Sequence, residues 1–117
     1  MSSTLRPCLS VVVPCFDERE TVEALLGAVL ASSWVAEVIV VDDGSTDGTR
    51  EILAGISDQR VRVILHETNQ GKGAALRTGF AEASAQYVVV QDADLEYNPA
   101  EYGELLGPLE RDVADVV

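Results

Sequence analysis

The stretch Val35-Ala36-Glu37-Val38-Ile39-Val40-Val41-Asp42-Asp43-Gly44-Ser45-Thr46-Asp47-Gly48-Thr49 decides the fold. Its opening, Val35 to Val41, is a β-branched run that reads as a strand. The run stops abruptly at Asp42-Asp43-Gly44-Ser45. Thr46 or Asp47 then offers an N-cap for a helix carrying Ile52, Leu53 and Ile56. The same alternation extends in both directions. Upstream, Leu9 to Val13 is an apolar run closed by Pro14, and Glu20 to Ala31 places Val22, Leu25, Leu26, Val29 and Leu30 at helical spacing. Downstream, Val61 to Leu65 predicts a third strand and Ala74 to Ala85 an Ala-rich helix with Leu76 and Phe80 inward. Tyr87 to Val90 predicts a fourth strand, Pro99 opens another helix, and Val113 to Val117 begins a further apolar run.

Strand and helix alternating in this way predict an α/β fold, a mostly parallel sheet flanked by helices on both faces. The near-continuous Val/Ile runs agree, since strands buried on both sides need no polar alternation. At 117 residues the chain is read as a single domain, residues 1–117, long enough to bury a core. Its last run stops at Val117 where a strand would continue, so the expectation is a domain truncated at its C-terminus. Sheet edges left open by truncation would favour pairing between chains, a homodimer.

Charge narrows the partners. Eight basic residues against 20 acidic ones give a net charge of −12, and Lys72 is the only lysine. Such a surface repels a phosphate backbone, which argues against nucleic acid. An anionic ligand would need a cation to accompany it. No segment has the ~20 apolar residues that span a bilayer, and no signal peptide opens the chain, so the expected location is cytoplasmic. Cys8 and Cys15 match no metal-ligand spacing and read as reduced thiols beside the first strand.

In open α/β sheets, ligands bind beyond the carboxyl ends of the strands. There the sequence places Pro14-Cys15-Phe16-Asp17-Glu18, then Asp42-Asp43-Gly44-Ser45, then Asn69-Gln70-Gly71-Lys72-Gly73, then Asp92-Ala93-Asp94-Leu95-Glu96. So many carboxylates on one sheet edge are costly unless a cation compensates. Asp92 and Asp94, two apart in an extended segment, point the same way, and Glu96 joins them if the chain turns. Hard oxygen ligands of this kind suit Mg²⁺ or Mn²⁺ shared with a diphosphate. Singly, an Asp-x-Asp or an Asp-Gly-Ser-Thr-Asp-Gly is also an ordinary solvated turn. Their joint placement at successive strand ends is what argues for a site. A phosphate-binding loop is excluded because Gly73 stands where Ser or Thr should follow Lys72. The lone His66 at a strand end reads as structural, with no catalytic role.

The segments Ser10 to Glu18, Val40 to Thr49, Asn69 to Phe80 and Gln91 to Tyr97 resemble the successive motifs of family 2 glycosyltransferases. The last is similar to the metal motif of the dolichyl-phosphate (polyprenyl-phosphate) mannose and glucose synthase branch. The resemblance implies the N-terminal, nucleotide-sugar-binding half of an A-type glycosyltransferase fold and a UDP- or GDP-sugar donor. It implies a hexosyltransferase that inverts the anomeric centre, with a polyprenyl phosphate acceptor at a membrane surface. It places Pro14, Phe16 and Glu18 at the nucleoside, Asp43 with Asp42 at the base, and Lys72 near base or phosphate. Asp92 falls at the ribose or sugar, Asp94 is the chief metal ligand, and Asp92 and Glu96 are further candidates. Asp92 and Asp94 are thereby the expected catalytic pair. Asp17 departs from the family's commoner Asn. The competing expectation is a nucleotide-diphosphate-sugar-binding module without transfer activity.

Overall fold

The computed structural model describes residues 7–93, so Asp94, Glu96, the helix expected at Pro99 and the run Val113 to Val117 lie outside the described residues. The elements are β1 (Leu9–Cys15), α1 (Val22–Leu30), β2 (Val35–Asp43), α2 (Thr49–Ala54), β3 (Val61–His66), α3 (Lys72–Glu82) and β4 (Tyr87–Val90). All strand pairs are parallel, in the order β3-β2-β1-β4. The chain therefore builds outward from β1 to β3, then crosses back to lay β4 on the other side of β1. The reversal of strand order between β1 and β4 creates the crevice where open α/β sheets bind ligands.

Strand periodicity divides the core in two. Leu9, Val11, Val13 and Cys15 of β1 and Val38 and Val40 of β2 pack against Val22, Leu25, Leu26 and Val29 of α1 and Leu53 of α2. The alternate residues Ile39 and Val41 meet Ala75 of α3 on the opposite face. Each face is thus covered by its own crossover helices, as expected for a parallel sheet.

Two sequence expectations are corrected. Pro14 does not end β1: the strand continues to Cys15, with Pro14 paired in register to Val41. The backbone groups of Val12 face β4, accepting from Gln91 N–H at 2.9 Å. Backbone direction alternates along a strand, so Pro14 faces that same side. β4 ends at Val90, opposite Val12, and the missing N–H of Pro14 therefore forfeits no ladder bond. Phe80, expected inward, is 48% exposed. The inward stripe of α3 is Ala75 and Gly79 instead. A Cβ at Gly79 would lie 2.4 Å from Cγ1 of the fully buried Val12, so only glycine lets α3 lie this close to the central strand. Apolar size is a poor guide to the buried face where backbones nearly touch.

A methyl at that contact must displace Val12. Gly79→Ala is expected to destabilise the chain by about 1–3 kcal/mol despite the helix-favouring substitution. Thermal unfolding by circular dichroism measures this; an unchanged or raised midpoint would contradict the close-contact assignment.

Candidate active site at the strand ends

The loops after β1 and β2 are stitched together reciprocally. The Asp17 N–H donates to Ser45 Oγ at 2.8 Å, and Thr46 N–H donates back to Asp17 Oδ1 at 2.9 Å. Next along, Glu18 N–H donates to Thr49 Oγ1 and Arg19 N–H to Asp47 Oδ2. Asp17 sits at φ 51, a left-handed conformation that Asn and Asp adopt more readily than other side chains. Its carboxylate is turned to the Thr46 backbone, which accounts for either residue type at this position. The Ser-Thr-Asp of the second motif is therefore scaffold. Asp47 also accepts from Thr49 N–H at 3.0 Å, capping α2 from one residue before its Gly48 N-cap.

Asp42 and Asp43 part company because successive side chains of a strand point to opposite faces. Asp42 is fully buried on the α2 side, where its Oδ2 accepts from Arg50 Nε at 2.7 Å and from Ser45 N–H. Arg50 also donates through Nη2 to the His66 carbonyl, tying the ends of β2 and β3. Asp43 faces α3. Its Oδ1 accepts from Gln70 N–H at 3.0 Å and stands 2.8 Å from His66 Nδ1; its Oδ2 accepts from Gly71 N–H at 2.8 Å. Burial alone would raise the Asp43 pKa, but the donors Gln70, His66 and Gly71 outweigh it and hold the carboxyl below its ordinary value. Gly44, at φ 86, lets the loops meet: a Cβ there would stand 2.6 Å from the Asn69 nitrogen.

Around this clamp lies a cavity of about 430 Å³. β1 and its loop contribute Pro14, Cys15, Phe16 and Glu18; β2 contributes Asp43; the β3–α3 segment contributes Asn69, Gly71, Lys72 and Ala75; and the chain after β4 contributes Asp92 and Ala93. Pro14, Phe16, Glu18, Asp43, Lys72 and Asp92, all expected at a nucleotide, line one cavity. Asp42 does not line it. Facing α2 and engaged by Arg50, it is placed as a structural carboxylate rather than beside Asp43 at a ligand. Lys72 Nζ spans the mouth to Asp92 Oδ1 at 2.7 Å. Thr21 Oγ1 donates to the Ala93 carbonyl at 2.6 Å and fixes the loop after β4. Burial, together with Asp42, Glu18, Asp47 and Asp17, pushes the Cys15 thiol up to about 12, so it is no nucleophile at neutral pH.

The sequence placed the segments holding Cys15, Asn69, Gly71 and Ala93 at this edge without singling those residues out, and it missed Ala75 as a cavity wall. A small helix residue such as Ala75 leaves no signal of its own. Of the expected metal set only Asp92 is described, and the described residues hold no cluster of three or more metal-ligating side chains. The Asp92 carboxylate lines the cavity and is of the hard-oxygen type that a divalent cation takes, and such a cation would share or displace the Lys72 contact at its Oδ1.

The sequence profile of glycosyl transferase family 2 matches residues 10–117. The chain belongs to that family. It is 35% identical over 113 residues to an undecaprenyl-phosphate 4-deoxy-4-formamido-L-arabinose transferase of Aeromonas hydrophila, covering 91% of this chain but 35% of that protein. The chain thus spans about a third of that relative's length. Among solved structures, glucosyl-3-phosphoglycerate synthase of Mycobacterium tuberculosis superposes with a TM-score of 0.72 at 32% identity, covering 92% of this chain and 43% of that one. That synthase has been crystallised with UDP, and with Mn²⁺, UDP and phosphoglyceric acid. TarS of S. aureus superposes at 0.77 with 26% identity, over 89% of this chain and 20% of that one. The expectations of an A-type glycosyltransferase fold and of the polyprenyl-phosphate branch agree with these likenesses.

The Asp43 clamp has a pH signature. Asp43 and Glu37 both titrate below their ordinary values, so the native state holds fewer protons than the unfolded chain in mildly acidic solution. Their stabilisation is complete above the unfolded carboxyl values, roughly pH 4, and is lost as pH falls through the lower native values. Asp43→Asn, which presents an amide N–H to donors, is expected to cost about 1.5–3 kcal/mol at neutral pH and to flatten the acid limb. Urea titrations from pH 7 to pH 3 check both; an Asn variant with unchanged stability and acid limb would contradict the clamp.

Proposed function

We propose that this chain is the donor-binding part of a metal-dependent, inverting glycosyltransferase that moves a sugar from a nucleoside-diphosphate sugar to a polyprenyl phosphate. The observation that carries the reading is the convergence of Asp43, Lys72 and Asp92 on one cavity at the β1/β4 reversal. Pro14 and Phe16 supply an apolar wall for a nucleoside, Phe16 remaining 45% exposed. Asp43, ionised and therefore acceptor-only, suits the imide N–H of uracil or the ring N1–H of guanine. Uridine is favoured because the similar mycobacterial synthase has been crystallised with UDP. The N-terminus of α3 and Lys72 open on the cavity and suit a diphosphate.

A divalent ion, Mg²⁺ or Mn²⁺, held by Asp94 with Asp92 and Glu96, would supply the charge neutralisation that a departing diphosphate requires. The chain's own groups orient the donor. An acceptor phosphate oxygen, already ionised near neutral pH, forms the new bond to the anomeric carbon from the face opposite the diphosphate. The old C–O bond breaks and its electron pair leaves on the diphosphate oxygen. No strong general base is needed, and positioning supplies most of the acceleration. The acceptor follows the relative named for undecaprenyl phosphate, and a lipid acceptor of that kind would bring the whole enzyme to a membrane surface. Among the described residues no helix is long and apolar enough to cross a membrane. A second reading is a nucleotide-diphosphate-sugar-binding module without transfer, which the same cavity would serve.

Calorimetric titration of UDP and GDP, with and without Mn²⁺, tests the donor reading. The expected result is Mn²⁺-dependent binding of UDP, stronger than that of GDP and lost in Asp94→Ala. Binding of neither nucleotide by the folded chain would sink the proposal. Sugar transfer from a bound UDP-sugar to a short-chain polyprenyl phosphate separates enzyme from binding module.

A further inference from the structure

His66 ends β3 directly in register with Asp43 at the end of β2, and both side chains turn to the α3 face. The ring is engaged at both nitrogens: Nδ1 with Asp43 Oδ1 at 2.8 Å and Nε2 with Thr78 Oγ1 of α3 at 3.0 Å. The imidazole is 10% exposed and the carboxylate 5%. An ionised carboxylate only accepts, so Nδ1 carries the proton in this contact and Nε2 is left to meet the threonine hydroxyl. Asp43 is thereby gripped from the strand by His66 and from the loop by the Gln70 and Gly71 amides, the segment that leads into Lys72. Of a carboxylate's roughly four acceptor positions, these donors take all but about one, on Oδ2, which accepts from Gly71; Asp43 and Gly71 both line the cavity.

We propose that His66 is a positioning residue for the nucleotide site: its Nδ1–H fixes the Asp43 carboxylate so that the remaining acceptor position faces the bound base. Thr78 orients the ring in turn. The proposal rests on the donor reading above for the identity of the ligand, and on the hydrogen bonds alone for the positioning.

Paired substitutions separate this role from simple packing. Asparagine can present a donor near the place of Nδ1, and glutamine near that of Nε2. If His66 acts through Asp43, His66→Asn keeps UDP affinity, measured with Mn²⁺ present, within about threefold while His66→Gln loses about tenfold. If the histidine merely ties β3 to α3, the ranking reverses and Thr78→Val is as damaging as His66→Asn. Wild-type affinity in His66→Gln, or equal losses in both variants, would overturn the proposal. Amide hydrogen exchange at Gln70 and Gly71 in the nucleotide-free chain decides the same question should the wild type bind no UDP. Faster exchange in His66→Gln but not in His66→Asn supports positioning, and unchanged exchange in both refutes it.

Discussion

Two adjacent carboxylates at the end of a buried strand cannot share a face, and each must find donors where it lands. Everything at this end of the molecule follows from that constraint. Asp42 goes to the α2 side and is met by Arg50; Asp43 goes to the α3 side and is met by the Gln70 and Gly71 amides and by His66. A buried carboxylate without such partners would be severely destabilising. The first aspartate therefore anchors the sheet, and the second anchors the loop that forms the cavity wall.

The same economy runs through the rest of the site. The first two strand-end loops satisfy one another's backbone donors, through Ser45, Asp17 and Thr49, leaving their outer rim to Phe16 and Glu18. The third loop is pulled under Asp43, and the fourth is held by Thr21. Glu18, Asp43 and Asp92 line the cavity with Lys72, which is paired to Asp92. That balance is tolerable in an acidic chain only where positive charge accompanies each anion, whether from lysine, a helix N-terminus or a metal ion.

Much of this was legible in the sequence. β1 and β2 were visible because β-branched runs buried on both faces need no partner to be recognised. β3, an outer strand with Val63 and Leu65 exposed, was visible from its Val/Ile content alone, and β4 came out at Tyr87–Val90 as read. The site could be assembled from strand ends because parallel topology puts all of them on one edge. What was hidden depended on neighbours. β2 runs two residues beyond Val41 because β3 pairs with it as far as Asp43 and His66. Phe80 looked like a core residue, but the distance between α3 and β1 admits only Ala75 and Gly79. Asp42 and Asp43 looked like a pair, and only strand alternation applied at the strand's last residues separates them. His66 was read as structural because it is a lone histidine at a strand end; its partners, Asp43 and Thr78, are distant in sequence and left no signal there.

The central claim is that nucleotide binds in the cavity bounded by Asp43, Lys72 and Asp92, on the α3 side of the β1/β4 reversal. Backbone amide chemical shifts of the labelled chain, followed through a titration with UDP and Mg²⁺, test it most directly. The account predicts perturbations concentrated at Phe16, Gly71, Lys72 and Ala93, with Arg50 and Leu53 on the opposite face unmoved. Perturbations centred on the α1/α2 face, or none anywhere at saturating nucleotide, would contradict it.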